Sequence, residues 1–355
     1  MIIVSFIVEE IVMKFAFYLQ NGTKVAALPE GYDKFYIAED LETSSELSRY
    51  YYLGDDIQYS LDALCVNLYD AFQDAIFPSR DEFYANYGIQ PQWISRAGLD
   101  SDFDMSKDDT ARCFSTSIPT RMAELGVKDD KLLEIYQEIE AKKFRYAYTA
   151  DCQSLVNTLQ ELILGCHSSL VGFYKHLCSL HSISRMSGVY FENSAESRMV
   201  FSFLYNFIIQ SYSMFDILTK IAYEFEHLRT CESTYTKLAA SNILYGARTD
   251  LKIDPVGTVF EKCRTTSIIE NLRNELVHNA TWEMNPKIYI ITEAGQIADR
   301  HILMPDFTAE NTLITFKSRK RFFAQGKKVN DELPVLYFDV MRRVYTTLER
   351  LLGRP

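Results

Sequence analysis

Apolar side chains set the rhythm of this chain, and the rhythm changes three times along it. Near the N-terminus it is short and alternating: FAFYLQ, KVAAL and KFYIA are rich in aromatic and β-branched residues, with Asn21-Gly22 between the first two. That pattern predicts a small β-meander within the first 40 residues. The preceding MIIVSFIV has no Lys or Arg ahead of it and is cut short by Glu9 and Glu10, so it reads as a buried strand rather than a signal core. Met13 competes with Met1 as the start. From Ile57 to Phe77, Leu61, Leu64, Cys65, Leu68, Phe72 and Ile76 recur at intervals of three and four, an amphipathic helix that Pro78 ends. Residues 79–128 hold Pro91, Pro119 and the acidic run LDSDFDMSKDD, and are expected to be irregular and solvated.

Beyond Asp130 the helical spacing persists. DKLLEIYQEIEAKKFRYAY begins with Asp at the cap, and CQSLVNTLQELILGCHSSLVGFYKHLCSL continues with bundle-like spacing. Ser194, Glu196 and Ser197 open a further helix through 201–228, apolar nearly all round and therefore expected in the middle of a bundle. A loop of about 230–257 ends in Pro255 and Gly257 and leads into GTVFEKCRTTSIIENLRNELVHNATW. KIYIIT, the turn EAGQ, IADRHILM and TLITF then form a β-like excursion. Pro334 is expected to start a last helix, LYFDVMRRVYTTLERLL, closed by Gly353 and Pro355. There is no internal repeat and no low-complexity tract. The expected architecture is mainly α: an acidic α+β accessory region over 1–128, then a helical domain over 129–355 with a β insertion at about 286–328.

Composition narrows the setting. Hydrophobic residues make up 47% of the 355, enough for a real core, so a mostly disordered chain is excluded. No apolar run approaches the roughly 20 residues that span a bilayer. Seven cysteines, with no CxxC pair, argue against a disulfide framework and a zinc ribbon and point to a reducing, cytoplasmic setting. The net charge of −11 counts against a nucleic-acid partner only as an average. Residues 1–150 carry 14 basic and 26 acidic side chains, a net −12, whereas residues 151–355 carry 23 and 22, a net +1. Fields are screened within about 10 Å at moderate salt, so the two parts act as separate electrostatic objects.

The sharpest chemical feature is RNELVH, Arg273 to His278, inside a predicted helix. At about 100° per residue, Ile268, Ile269, Leu272 and Leu276 share one stripe, while Glu270, Asn274 and His278 follow one another on roughly the opposite side. Arg273 lies about 140° around the axis from His278, within reach of that face by its long side chain. The competing reading is a solvated helix face with incidental Arg and His. An imidazole so placed can take a proton from a ribose 2′-OH or give one to a leaving oxygen. A guanidinium can hold the scissile phosphate, and an asparagine can orient either partner.

This segment resembles the motif of the HEPN superfamily, whose ribonucleases carry Arg, a polar residue that is often Asn, three variable residues and His. Arg273, Asn274 and His278 match those positions, and IIENL matches the apolar lead-in. The resemblance covers about residues 130–285 and 334–352. It implies a HEPN-like antiparallel helical bundle and a metal-independent endoribonuclease without cofactor. It also implies a homodimer whose composite cleft takes the motif from each copy, in a toxin or anti-phage setting with an antitoxin or regulatory protein as a further partner. Some nuclease members place Tyr two residues after the His; Ala280 stands there, so their specialised chemistry is not implied. Family members also use a polar residue of the preceding long helix, for which Asp216 and Tyr212 are the candidates. Glu270 is a candidate partner of Asn274 or Arg273, with plain solvation the competing reading. The alternative function is a non-catalytic HEPN-like scaffold binding nucleic acid, a nucleotide or a protein.

KSRKRFFAQGKK, residues 317–328, carries six basic residues and no acid. Lys317, Arg319, Lys320, Arg321, Lys327 and Lys328 could meet RNA phosphates, with Phe316, Phe322 and Phe323 as stacking surfaces. A solvated loop is the alternative. Cys166, His167, His176, Cys178 and His181 invite a metal reading, but His167 and Cys178 would stand about 16 Å apart along a continuous helix, so packing is expected. His227 and His301 have no evident partner. The acidic N-terminal part would regulate access, bind a partner or shield the site from RNA.

Overall fold

The computed structural model describes residues 7–8, 11–12, 15–18, 24–25, 51–53, 55–76, 130–179, 187–229, 234, 236–239, 251–279, 286–294, 296–317, 319 and 322–353. Up to residue 59, and at 130–143, 146–147, 178–179, 296 and 298, it describes the backbone alone. The short strands come first: β1 (Ile7–Val8), β2 (Ile11–Val12), β3 (Phe15–Tyr18), β4 (Lys24–Val25) and β5 (Tyr51–Leu53). They are followed by α1 (Asp55–Ile76), α2 (Asp130–Ser179), β6 (Gly188–Glu192), α3 (Ala195–Glu226) and α4 (Arg264–Asn279). The order closes with β7 (Ile288–Glu293), β8 (Gln296–His301) and α5 (Val329–Leu351). The described part is mainly helical, with an antiparallel three-stranded sheet β6-β7-β8. No helix among the described residues is long and apolar enough to cross a membrane.

At the N-terminus β3 pairs with β4, as the Asn21-Gly22 signal predicts, and with β5; residues 34–38 lie outside the described residues. Of MIIVSFIV, the described residues Ile7–Val8 form a strand paired with β2. The expected irregular segment 79–128 and His181 are also outside the described residues.

The chain divides into two compact units. One gathers Leu64–Leu159, Ile217–Asp254 and Leu348–Pro355. Its apolar packing includes the edge-on pair Phe72 and Phe225, with ring centroids 5.2 Å apart. Its polar heart is Glu224, which is fully buried. Tyr148 donates to Glu224 Oε2 at 2.7 Å, and the amide of Ala239 and Arg229 Nη2 donate to Oε1 at 2.7 and 3.3 Å. A buried carboxylate is costly unless its lone pairs are filled, and these three donors do that. Burial and the Glu224 charge push the nearby Asp151 carboxyl up to about 6.

The other unit gathers Met1–Ala63, Gln160–Asp216 and Pro255–Thr347. Within it the second half of α2 lies against α3. Gly165 and Gly172 let the two helices approach closely: a Cβ on Gly172 would stand 2.4 Å from Phe203, and one on Gly165 2.6 Å from Gln210. These pairs, with Cys166 against Ser211, ascend α2 while descending α3, so the helices are antiparallel. α5 also runs against α2, through Tyr174 with Asn330 and His167 with Tyr337. α3 begins after Ser194, whose hydroxyl accepts the Ser197 amide at 3.2 Å while the Ser197 hydroxyl accepts the Ser194 amide at 3.2 Å. That reciprocal cap satisfies two of the donors a helix start leaves open. No residue from Gln210 to Glu226 is exposed, in keeping with a helix apolar nearly all round.

The sheet joins distant segments. β6 pairs with β7 from Gly188 against Thr292 to Glu192 against Ile288, and β7 pairs with β8 around a bulge at Ile291/Thr292. β7 and β8 lie in the expected β excursion, whereas β6 carries no separate sequence signal.

The last helix differs from expectation. It starts at Val329, five residues before Pro334, which sits inside it. A proline there removes the N–H that would bond the carbonyl four residues earlier, that of Asn330. The Tyr174 hydroxyl of α2 donates to that carbonyl instead, at 2.5 Å and wholly buried. A helix can therefore pass through Pro334 because a side chain from elsewhere in the fold supplies the missing donor. At its far end Gly353, with φ of 69°, closes the helix as expected, its amide on the Arg350 carbonyl. Replacing Tyr174 by Phe should cost about 1–3 kcal/mol in urea unfolding, the cost of an orphaned buried carbonyl. The same change in a Pro334→Ala background should cost clearly less, because the introduced alanine restores the helical donor; equal losses in both backgrounds would disprove this account.

Candidate functional site

α4 places the RNELVH segment, and its own burial pattern fixes how. Ile268, Ile269, Leu272 and Leu276 are buried, the stripe expected from periodicity, and Thr265 and Glu275 join them, Glu275 at 3% exposure. Glu270 and His278 are exposed, and Arg273 and Asn274 are half-buried. The polar face therefore points away from the helix's own core, as the spacing predicts. Glu275 is the surprise in this helix; its Oε2 accepts the Asn279 side-chain amide at 3.0 Å.

Three of the candidate residues meet. Arg273 Nη1 donates to Asn274 Oδ1 at 3.1 Å, and the Arg273 guanidinium carbon lies 4.8 Å from the centre of the Tyr212 ring. Tyr212 belongs to α3 and is only 7% exposed, so its ring forms a fixed shelf under the cation. The guanidinium is thus held by a flat π-face and by one carbonyl oxygen. Its remaining N–H groups keep their donor capacity. With its oxygen engaged by Arg273, the Asn274 side chain keeps its NH2 donors. Arg273 bends toward Asn274, the direction its long side chain was expected to take.

His278 is exposed one helical turn beyond Asn274 and makes no hydrogen bond or ion pair among the described residues. Glu270 is exposed, and among the described residues no side-chain hydrogen bond or ion pair joins it to Arg273 or Asn274. Asp216 lies four residues beyond Tyr212 on α3, half-buried. Of the two α3 candidates, Tyr212 lies under the Arg273 guanidinium.

The approach to α4 is held by Arg343, on α5, which periodicity marks only as one more helix residue. Its side chain is 7% exposed. Nη1 donates to the Thr258 carbonyl at 3.0 Å and to Glu261 Oε2 at 2.7 Å, and Nε donates to Asp339 Oδ2 at 2.7 Å. Burial alone would raise the Asp339 carboxyl, but hydrogen bonds from Arg343, Arg342 and Thr265 outweigh it and hold the carboxyl below its usual range. Thr347 adds to the clamp by accepting the Val259 amide at 3.1 Å. At the helix start the Thr266 hydroxyl accepts the Cys263 amide at 3.0 Å. Further along, Asn271 Nδ2 reaches the Asn311 carbonyl at 3.3 Å. The buried side of α4 is thereby fixed at both its entry and its middle.

The described part of the basic stretch is hydrogen-bonded to Asp306. Ser318, Lys320 and Arg321 lie outside the described residues. The amides of Ala324 and Gln325 donate to the two Asp306 carboxylate oxygens at 2.7 and 2.9 Å, and the Asp306 amide donates to the Phe322 carbonyl at 2.8 Å. Phe322 and Phe323 are half-buried, Lys327 is exposed, and Lys328 is already paired with Asp299 Oδ2 at 2.7 Å. That ion pair takes Lys328 out of the set of cations free to meet phosphate.

The same Asp299 oxygen meets His301 Nδ1 at 2.7 Å, and Tyr289 stacks on the imidazole with centroids 5.4 Å apart. His301 therefore has a partner after all. The signal was available in period two, since Asp299 and His301 share a face of β8. Burial would raise the Asp299 carboxyl, but hydrogen bonds from His301 and Lys328 prevail and bring it down to about 2. His227 bonds only the Tyr223 carbonyl of its own helix, at 2.9 Å. On α2, His167 meets the Tyr337 hydroxyl at 3.2 Å, Cys166 meets Ser211, and His176 stacks on Phe203. Burial pushes the Cys166 thiol up to about 12 against the opposing Ser211 bond. The Cys178 side chain lies outside the described residues.

Asp299 yields a sign-definite test. Its folded carboxyl lies below the ordinary value of 3.8, so its stabilisation is present above about 4 and is lost as pH falls toward about 2. The stability gap between the wild type and Asp299→Asn, followed by urea unfolding, should narrow as pH drops from 5 toward acid unfolding. A constant gap would show that the carboxylate is not held this way.

Comparison with protein-family models, curated proteins and solved structures gives no match for this chain.

Proposed function

We propose that this protein is a HEPN-type, metal-independent endoribonuclease, acting in a toxin or anti-phage defence setting in the cytoplasm. The observation that carries the reading is the group on α4: Arg273 braced by Tyr212 and Asn274, with His278 exposed one turn away on the same outward side. In the reaction the ribose 2′-OH attacks the adjacent phosphorus and the 5′-oxygen leaves. His278 serves as general acid or base, and Arg273 supports the charge that builds on the phosphate oxygens. Because the nucleophile belongs to the substrate and is already positioned beside the phosphorus, the chemistry needs no bound metal to generate it.

One copy presents the group on an open helix face with a single imidazole. Proton removal at the 2′-OH and proton delivery at the 5′-oxygen occur on opposite sides of the phosphorus. A homodimer that faces two such groups across a cleft supplies both. The helical bundle of α2, α3, α4 and α5 is read as HEPN-like, with the β7–β8 insertion and the N-terminal region added to it. The second reading, a non-catalytic scaffold that binds nucleic acid, a nucleotide or a protein, draws on the fact that Arg273 is already engaged at rest.

Purified wild type should cleave RNA in the presence of EDTA and should fail on a substrate with 2′-deoxyribose at the scissile position. Arg273→Ala and His278→Ala should each lower the rate by about 10²–10⁴, the usual range for lost acid–base or charge stabilisation. Intact RNA across several classes with wild-type dimer would sink the ribonuclease reading, and loss of cleavage in EDTA would overturn the metal-free mechanism.

A further inference from the structure

The ribbon that carries the basic stretch ends in a tight hairpin whose tip is not explained by packing. Phe316 and Arg319 are antiparallel partners, each amide donating to the other's carbonyl at 2.9 Å. Lys317 takes a left-handed φ of 44° to turn the chain between them. Phe316 is 62% exposed, and Lys317 and Arg319 are exposed as well. Lys317 Nζ lies 5.5 Å from the Phe316 ring centre, and neither it nor the Arg319 side chain has a hydrogen bond or ion pair among the described residues.

The base of this hairpin is tied to a buried aspartate. Asp306, 2% exposed, donates its amide to Phe322, accepts the Ile314 amide on its carbonyl at 3.0 Å, and binds Ala324 and Gln325 with its two carboxylate oxygens. The exposed phenyl is therefore presented by a preorganised support rather than a loose loop. Side chains of directly opposed antiparallel residues leave the same face of a ribbon, with Cβ atoms about 4.5–5.5 Å apart. The Phe316 ring and the Arg319 guanidinium thus share one face.

We propose that this tip is a binding site for one unpaired nucleotide of an RNA strand. Its base stacks on Phe316, and its phosphates are met by Arg319 and Lys317. The proposal rests on RNA being the substrate of the α4 group and names the form in which RNA is taken: single-stranded at the tip. An A-form duplex keeps its bases stacked within and offers no free face to a phenyl ring, so it is refused. Stacking tolerates any base, so the tip selects strandedness and not sequence. A membrane or acidic-protein partner would use the same cations, but an aromatic ring with a guanidinium on the same face of one turn matches the alternation of base and phosphate. It also divides the basic stretch: the tip binds, while Lys328 and the backbone of 322–325 hold the ribbon.

The test measures binding apart from cleavage, on full-length His278→Ala protein with a fluorescent single-stranded oligoribonucleotide and with the same sequence as a blunt duplex. Phe316→Ala should weaken single-strand binding about 5- to 150-fold, the loss of one base–aromatic stack, while Phe316→Trp retains it. Arg319→Ala should lower the salt slope by about one. Wild-type affinity of Phe316→Ala for the single strand would overturn the proposal. So would equal loss on the duplex, or an effect of Phe316→Ala seen only on vesicles of anionic phospholipid or on a poly-glutamate peptide. Phe316-dependent single-strand binding by a protein that cleaves no RNA would uphold the tip while removing the nuclease reading.

Discussion

One asparagine joins three kinds of structure in the unit that bears the candidate site. Asn330, in the first turn of α5, gives its side-chain amide to the Arg300 carbonyl and takes the Ile302 amide on its own oxygen, so it extends the end of β8 like one more strand residue. Its main-chain carbonyl meanwhile receives Tyr174 from α2. The sheet, α2 and α5 therefore meet at a residue that is 2% exposed, with its polar groups satisfied by different elements. Apolar burial supplies most of the stabilisation but says little about register. The directional bonds at Asn330 fix where the sheet ends relative to α2 and α5.

From that junction α5 carries Arg343 about three and a half turns further on, where it grips the segment that enters α4. The candidate site is thus set indirectly: α5 holds the entry to α4 and α3 holds Arg273 through Tyr212, while the outward face of α4 is left unencumbered. Pre-set geometry of this kind lets a small polar group act without first paying to order itself. The tethering residues, a buried arginine and an aromatic shelf, sit beside the candidate site.

What could be read from sequence alone follows the range of the interactions involved. α1, the long helical run from Asp130, the buried stripe of α4, the β3–β4 hairpin and the β7–β8 excursion rest on local periodicity and turn chemistry, and all were legible. The outward direction of Glu270, Asn274 and His278 followed from the same helical geometry. β6 was not legible, because its partner lies about a hundred residues away, at Thr292 for Gly188. Nor was the true start of α5: Pro334 reads as a helix start until Tyr174, 156 residues before Asn330, is known to replace the missing donor. His301 was passed over because each residue was weighed singly, although strand periodicity puts Asp299 beside it. That Tyr212 lies under Arg273 needed the packing of α3 on α4.

Asp306 has a consequence of a different order. Because it closes its hydrogen bonds locally, on Ile314, Phe322, Ala324 and Gln325, it acts as a terminus for the internal bonding of the fold. Phe316, Lys317 and Arg319 hang beyond that terminus, and their exposed side chains contribute little to what lies beneath it. A substitution at any of the three alters the surface of the ribbon and leaves the bonding of the fold as it is. The hairpin tip is thus an appendix to the framework: its side chains can be exchanged one by one while the packing of the helices stays the same.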